Sequence, residues 1–260
     1  MSEFLKIALL QTDLIWEDPK ANRLNLEAQI REISETSDLI VLPEMFTTGF
    51  TMQAEPYAEF MEGTTIQWMK SLAGEKGSAI AGSLIISEEG NLYNRLVFVT
   101  PDGHVSYYDK RHTFTLAGED RVYTSGRSRA IISYKGWNIC PLICYDLRFP
   151  VWARYQEDYD VLLYVANWPK PRINAWDTLL QARAIENMSY CVGVNRVGQD
   201  SKGHEYTGHS AAYSPLGEPL TGFLPGEKGI RIVSLHKQQL QDARAKFKFL
   251  NDRDAFTLLE

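Results

Sequence analysis

Short apolar runs alternate with polar, turn-prone segments along most of the chain, and this pattern predicts a mixed α/β protein. The runs over 38–43 and 160–166 are almost wholly apolar, which is typical of strands buried on both faces of a sheet. Apolar residues at three- and four-residue spacing over 22–36 predict an amphipathic helix. In full, the pattern predicts strands over 4–11, 38–43, 78–87, 92–100, 105–108, 130–134, 137–143, 160–166, 190–195, 208–214 and 229–234, and helices over 22–36, 64–76, 151–156 and 176–188.

The order of these elements favours helices layered on sheets rather than one purely parallel sheet. Residues 4–43 form a strand–helix–strand crossover, whereas Lys135 and Gly136 predict a tight hairpin within 130–143. No segment rich in Pro, Gly or Ser divides the chain, so we expect a single domain over 1–260. The tail over 238–260 has few packing partners of its own, and we expect it to pack on a partner subunit.

Composition narrows the functional class without identifying it. A hydrophobic fraction of 44% and a charged fraction of 23% are those of an ordinary soluble protein. The net charge of −6, without a basic stripe, argues against a general nucleic-acid binder, and no apolar run is long enough to span a bilayer. The start of the sequence does not have the pattern of a signal peptide. Three cysteines without metal-ligand spacing fit a reducing compartment, so we expect a cytoplasmic protein.

Three predicted strands end on residues suited to acyl chemistry. Glu44 follows the run over 38–43, Lys110 follows the strand over 105–108, and Cys144 follows the run over 137–143. Open α/β sheets gather their ligands at the carboxyl ends of strands, so these three side chains could converge. A thiol that hydrolyses an amide or nitrile needs a base, an acid for the departing nitrogen and a positive group at the oxyanion. Glutamate, lysine and cysteine supply these roles.

Cys144 lies where a strand turns into a predicted helix, and amide N–H groups at such an elbow are expected to lower the pKa of the thiol. Each residue also has an ordinary structural interpretation. Cys144 could be a buried apolar residue, Glu44 a helix cap, and Lys110 part of a solvated charge cluster. His112 and His209 are available for the alternative of cysteine–histidine catalysis, although neither lies in a signature of that chemistry.

The segments 42–46 (LPEMF), 108–112 (YDKRH) and 143–149 (ICYDLRF) together resemble the three catalytic blocks of the carbon–nitrogen hydrolase (nitrilase-like) superfamily, in its order and at about its spacing. The resemblance extends from the first strand to about residue 234. It implies an α/β fold of the nitrilase type, a four-layer αββα sandwich whose subunits pair through helices beside the active site as a homodimer or higher homo-oligomer. It implies no metal and no cofactor.

The resemblance also implies roles for individual residues. Glu44 would be the general base, Cys144 the nucleophile, and Lys110 the group that stabilises the tetrahedral intermediate together with the backbone N–H of Tyr145. Glu119 lies where the family often has a second glutamate after the lysine. The intervening loop departs from the commonest form, so Glu119 could equally be an exposed acid.

Further segments resemble the bacterial omega-amidases within this superfamily, namely 140–152, 163–169 and 181–187. Those enzymes hydrolyse the terminal amide of 2-oxoglutaramate and 2-oxosuccinamate, so a cation should meet the α-keto carboxylate of the small-molecule substrate. The candidate substrate-binding residues are Phe114, Arg148, Asn167, Trp168, Arg172 and Trp176. The alternatives are another branch, namely an aliphatic amidase, an N-carbamoyl amide hydrolase or a nitrilase, or a catalytically silent partner subunit.

Overall fold

Two six-stranded β-sheets stack between helices in the computed structural model, which describes residues 2–156 and 158–258. The strands are β1 (Phe4–Gln11), β2 (Leu39–Val41), β3 (Ala79–Glu88), β4 (Asn91–Val99), β5 (Val105–Asp109), β6 (Ile132–Tyr134), β7 (Trp137–Ile143), β8 (Val161–Ala166), β9 (Tyr190–Asn195), β10 (Val197–Gln199), β11 (Glu205–Thr207), β12 (Ala211–Tyr213), β13 (Pro219–Gly222) and β14 (Gly229–His236). The helices are α1 (Pro19–Arg31), α2 (Thr64–Lys76), α3 (Pro150–Ala153), α4 (Ile173–Asn187) and α5 (Lys237–Phe247).

Both sheets have a parallel centre and antiparallel flanks. The first has the order β14-β1-β2-β3-β4-β5 and the second the order β13-β12-β9-β8-β7-β6. Strands β1, β2 and β3 are parallel in the first sheet, and β7, β8 and β9 are parallel in the second. Parallel neighbours need crossover connections, which contain α1, α2, α3 and α4. In both sheets, loops therefore follow the carboxyl ends of the parallel strands.

The alternation of side chains along β1 explains the layers. Ile7 and Leu9 belong to the core between the two sheets, whereas Ala8 and Leu10 belong to the core under α1 and α2. On the far side, Gly193 of β9 lets α4 approach closely, since a Cβ there would lie 2.6 Å from Leu180 Cδ1. The result is helix, sheet, sheet and helix. The predicted four-layer αββα sandwich is confirmed.

Helix α1 begins and ends earlier than the prediction of 22–36. Pro19 occupies its first turn and the Asp18 carboxylate accepts a hydrogen bond from Ala21 N at 2.9 Å, so the cap fixes the start three residues upstream. Strands β1 and β9 and helix α2 have the predicted bounds. The short strands β10, β11 and β13 were not predicted, because three or four residues are too few for a period to appear.

The tail from residue 238 contacts its own chain at a few positions, and its packing on a partner subunit stays a prediction. It forms most of α5, where Leu240 is fully buried. Arg244 donates hydrogen bonds to the carbonyl oxygens of Met188 at 2.8 Å and Tyr159 at 2.8 Å. This segment therefore packs on the end of the second sheet. Within residues 2–156 and 158–258, no helix has both the length and the apolar character that crossing a bilayer requires.

Candidate active site

The residues predicted to form a catalytic group lie together at one end of the two sheets. Glu44 follows β2, Lys110 directly follows β5, Cys144 directly follows β7, and Glu119 begins a short 3₁₀ turn. Lys110 Nζ donates to Glu44 Oε1 at 2.8 Å and to Glu119 Oε1 at 2.9 Å. The thiol of Cys144 lies near enough to this group for the charges of Glu44, Lys110 and Glu119 to act on its pKa. Four side chains from distant parts of the sequence thus form one contact cluster.

Glu44 is fully buried and its carboxylate is surrounded by N–H donors. Oε1 accepts hydrogen bonds from Lys110 Nζ and from the side-chain amide of Asn94, both at 2.8 Å. Oε2 accepts from the backbone N–H of Asn167 at 2.8 Å, and the Asn167 side chain donates to the backbone oxygen of Glu44 at 2.6 Å. These bonds fix both oxygens of the carboxylate beside the thiol, where a proton acceptor is needed.

Lys110 and Glu119 form a buried ion pair beneath the thiol. Lys110 Nζ also donates to Glu119 Oε2 at 3.0 Å, and both side chains are almost wholly inaccessible. Burial alone would lower the pKa of Lys110, but the charges of Glu119 and Glu44 outweigh it and raise that pKa above its ordinary value. Burial raises the pKa of Glu119, and the charge of Glu44 adds to this while Lys110 opposes it. Glu119 is thus a buried partner of Lys110, not an exposed acid.

Cys144 has the backbone conformation of a sharp elbow. Its φ angle is +44°, in the left-handed region that non-glycine residues seldom occupy. The buried carboxylate of Asp146 holds this turn, since its Oδ2 accepts from Ile143 N at 3.0 Å and from Tyr108 Oη at 2.8 Å. Its Oδ1 accepts from the backbone N–H of His112 at 2.9 Å. One carboxylate thereby joins the cysteine turn to the strand and loop that carry the lysine.

The expected lowering of the thiol pKa was wrong. Burial raises the pKa of Cys144 well above its ordinary value, and the negative charge of Glu44 raises it further despite the opposing charge of Lys110. The residues from Cys144 to Arg148 form a short 3₁₀ turn and α3 begins only at Pro150, so the elbow is not the start of a long helix. The thiol is therefore protonated at rest and needs a base.

A cavity of about 320 Å³ opens onto Cys144 and Lys110. Tyr145, the second residue of the 3₁₀ turn, lies on its wall. The first N–H groups of a helical turn have no partner within the turn, which leaves the Tyr145 amide suited to an oxyanion. The lining residues are Phe50, Met52, Lys110, Phe114, Leu116, Ala117, Cys144, Tyr145, Arg148, Asn167, Trp168, Pro169, Arg172, Asp200, Lys202, His204 and Tyr206.

Two arginines face this cavity without a carboxylate partner in the described part of the chain. Arg148 lies over the Trp168 ring, with Cζ 4.9 Å from its centroid, and Arg172 lies 5.1 Å from the centroid of the Phe114 ring. Arg148 is not paired with Asp146, whose oxygens are bonded elsewhere. Stacked guanidinium groups with free N–H donors are suited to bind a carboxylate.

Trp176 is the one predicted substrate-binding residue that lies outside the cavity wall. It is fully buried behind Trp168, at 5.7 Å between ring centroids. Its indole N–H donates to the backbone oxygen of His209 at 2.9 Å. Trp176 is therefore a core residue that supports Trp168, because the start of α4 turns its side chain toward the sheet.

The two histidines considered for cysteine–histidine catalysis have other partners. His112 Nδ1 lies 2.8 Å from Asp146 Oδ1, and its ring stacks on Phe149 at 3.8 Å between centroids. His209 Nδ1 lies 3.0 Å from Asp177 Oδ2. The charge of Glu44 acts on the Cys144 thiol, and neither histidine is among the groups that do, so the site favours a carboxylate base.

Several residues of this site carry too little signal in the sequence to be predicted. Asn94 bonds two of its carboxylates from the middle of β4, where a single asparagine in an apolar strand carries only a weak signal. Asp200, Lys202 and His204 reach the cavity from the hairpin between β10 and β11, and neither strand was predicted. The other wall residues missed from the sequence are Phe50, Met52, Leu116, Ala117, Pro169 and Tyr206.

Comparison with known proteins identifies the family. A family described as Carbon-nitrogen hydrolase matches residues 6–245. The chain is 44% identical to Omega-amidase YafV of Escherichia coli (strain K12) over 98% of each chain. It is 31% identical to 2-oxoglutaramate amidase of Bacillus subtilis (strain 168) over 95% of this chain and 96% of that one. The crystal structure of XC1258 from Xanthomonas campestris, a CN-hydrolase superfamily protein with an arsenic adduct in its active site, superposes with a TM-score of 0.96 at 41% identity, over 99% of this chain and 100% of that one. The chain belongs to the carbon–nitrogen hydrolase family.

Proposed function

We propose that this protein is an omega-amidase that hydrolyses the terminal amide of 2-oxo dicarboxylic acid monoamides such as 2-oxoglutaramate and 2-oxosuccinamate. The observation that carries the proposal is a thiol beside a buried carboxylate and ammonium, in a cavity lined by two guanidinium groups that have no carboxylate partner among the described residues. Two relatives that align over nearly the whole chain have the names omega-amidase and 2-oxoglutaramate amidase. The products are the 2-oxo acid and ammonia.

In the first half of the reaction the Glu44 carboxylate takes the proton of the Cys144 thiol. The sulfur then attacks the amide carbon, and a C–S bond forms while the carbonyl oxygen becomes an oxyanion. Lys110 Nζ and the backbone N–H of Tyr145 donate to that oxygen. When the tetrahedral species collapses, the C–N bond breaks and Glu44 returns the proton to nitrogen, so that ammonia leaves and a thioester remains.

In the second half, Glu44 removes a proton from water. The resulting hydroxide adds to the thioester carbonyl, and the same two donors stabilise the second oxyanion. Collapse breaks the C–S bond and the thiolate recovers the proton from Glu44, which restores the resting site. Glu119 takes no proton in this scheme, and its role is to hold Lys110 in place.

A solved amidase from Nesterenkonia sp. AN1, 26% identical over 94% of this chain and 98% of that one with a TM-score of 0.81, has a glutamate-to-glutamine change and acrylamide added at its active-site cysteine.

Arg148 and Arg172 are the proposed receptors for the α-keto carboxylate. Replacing either with methionine removes a charge-assisted hydrogen bond worth about 1.5–3 kcal/mol, so KM for 2-oxoglutaramate should rise about tenfold or more. A neutral amide such as propionamide cannot use these groups, and its kcat/KM should change little. An equal loss of kcat/KM on both substrates would show that the arginines shape the cavity and do not bind the carboxylate.

We also propose that the protein works in the cytoplasm as a homodimer. The cysteine content and the family resemblance support this proposal. Light scattering of the purified protein would test its oligomeric state.

The decisive test of the function is ammonia release from 2-oxoglutaramate, with Cys144→Ala as the blank. Succinamate, propionitrile and an N-carbamoyl amino acid are assayed in parallel. Turnover that depends on Cys144 and favours 2-oxoglutaramate is the expected result. Preference for a different substrate would keep the proposed chemistry but reassign the branch. Inactivity on all four would mean a wrong substrate panel or a silent partner subunit, and alkylation of the Cys144 thiol across pH would then distinguish the two.

A further inference from the structure

Asn94 contacts every ionised member of the proposed catalytic cluster. Its side-chain amide donates to Glu44 Oε1 at 2.8 Å and to Glu119 Oε1 at 3.3 Å. Its backbone oxygen accepts from the backbone N–H of Lys110 at 3.0 Å. Asn94 is 1% exposed and does not line the cavity, so it cannot touch the substrate. Any effect on the reaction must act through the residues that it holds.

The other end of the same amide has no partner. Asn94 Oδ1 is buried and lacks a hydrogen bond within the described residues, a state that costs free energy in a protein core. The opposite orientation would place this oxygen against the two carboxylates, which would repel it. The carboxylates therefore fix the orientation in which the N–H groups of Asn94 face Glu44 and Glu119.

We propose that Asn94 is a positioning residue that keeps Glu44 ionised and aimed at the thiol of Cys144. This inference rests on the proposed role of Glu44 as the base. A hydrogen bond to the charged form of a carboxylate favours that form, and a neutral amide supplies it without a second cation in the site.

The ionisable groups around Glu44 in the described structure are Lys110, Glu119, Cys144 and Tyr123. The lysine is positive, while the thiol and the phenol are neutral across the range in which a carboxylate titrates. Glu119 repels the negative charge on Glu44, and the shared amide of Asn94 bridges these two like charges. Loss of this bridge should therefore leave the two carboxylates to repel each other without a shared donor.

The test is the pH profile of kcat/KM for 2-oxoglutaramate in Asn94→Leu and Asn94→Asp. Both variants keep the approximate volume of the side chain and remove the amide donor. The acid limb is the part of the profile in which kcat/KM falls as the pH decreases. It should move to higher pH by about one to two units, the size expected for one hydrogen bond to a charged group. Activity should thus fall steeply at pH 5 and recover toward pH 8, with little change in KM. Asn94→Asp adds a third carboxylate and should shift the limb at least as far.

Asn187→Leu is the matched control. Asn187 is also fully buried, but its main partners are the backbone groups of Tyr155 and Arg183, away from the cavity. Its loss should lower the thermal midpoint without moving the acid limb. If the Asn94 variants lose activity by the same factor at every pH, as a structural defect would, the inference is overturned.

Glu44→Gln, assayed alongside, tests the role of Glu44 as the base separately from the role of Asn94. If Glu44→Gln keeps its turnover, the proposed base and the role of Asn94 both fail. If Glu44→Gln is inactive while the acid limb of the Asn94 variants stays at the wild-type pH, only the role of Asn94 is overturned. An inactive Glu44→Gln with shifted limbs in the Asn94 variants supports both.

Discussion

Lys110→Met is the change that tests the electrostatics of the site most directly. Lys110 Nζ contacts Glu44 Oε1 and both oxygens of Glu119, and all three side chains are at most 1% exposed. Methionine keeps most of the length of the side chain and removes the charge. Two buried carboxylates then share a site whose other close side-chain donor is the amide of Asn94.

The cost follows from this burial. Removing one partner of a buried ion pair costs about 3–5 kcal/mol, because an uncompensated charge remains. For a chain of this size, each kcal/mol lowers the thermal midpoint by about 2–4 °C, so we expect a fall of roughly 6–20 °C at neutral pH.

The loss should depend on pH with a definite sign. The pKa of Glu119 is already raised by burial, and Lys110 is the group that pulls it down, so the substitution raises it further. A carboxyl group with a raised pKa in the folded state is relieved by protonation. The loss of stability should therefore be greatest above neutral pH and should shrink as the pH falls toward 5.

Urea unfolding of wild type and Lys110→Met at pH 5.5, 7.0 and 8.5 measures this loss. Lys170→Met is the matched control, because the Lys170–Glu205 ion pair is 54% and 57% exposed and should contribute about 0–1 kcal/mol at any pH. A loss below about 1 kcal/mol for Lys110→Met, or one that is equal at all three pH values, would refute the reasoning. Either result would mean that water or structural relaxation compensates the carboxylates.

Two further changes test the thiol and the lysine loop. Because burial and then Glu44 raise the pKa of Cys144, its alkylation by iodoacetamide should have a pH midpoint well above the ordinary value of about 8.5, and a midpoint at or below that value would contradict this. Mass spectrometry should find the two buried cysteines unlabelled in the folded protein. At Gly126 a Cβ would lie 2.1 Å from the backbone oxygen of Asp109, and Gly126 N donates to Lys110 O at 2.8 Å. Gly126→Ala should therefore displace Lys110 and lower kcat at least about tenfold, or about 1.4 kcal/mol, and an unchanged kcat would show that the loop absorbs the extra carbon elsewhere.

The fold could be predicted from sequence where the signal is local. Strands β1 and β9 have the predicted bounds because each is an apolar run between polar residues. The positions of Glu44, Lys110 and Cys144 were predictable for a similar reason, since each directly follows or closely follows a recognisable strand. The α5 helix was missed because its sequence is mostly polar and Leu240 is its one buried residue.

The parts that could not be predicted depend on contacts between residues that are far apart in the sequence. Asn94 belongs to the site only because β4 pairs with β5, and its side-chain amide donates to Glu44. The hairpin with Lys202 and His204 contributes to the cavity only because the chain folds it over the mouth. The wrong sign for the Cys144 pKa has the same origin. The elbow suggested helix N–H groups near the sulfur, whereas burial and two carboxylates determine the shift.

A thiol that is neutral at rest follows from the charges of the cluster. With Glu44 and Glu119 ionised and Lys110 protonated, the buried group already carries one net negative charge, and a resting thiolate would add a second in low dielectric. Transfer of the thiol proton to Glu44 moves a charge from oxygen to sulfur without adding one. The nucleophile therefore arises only in the exchange with its base, when a carbonyl is present to consume it. Because the thiolate is the form that oxidants attack, the same raised pKa protects Cys144 between turnovers.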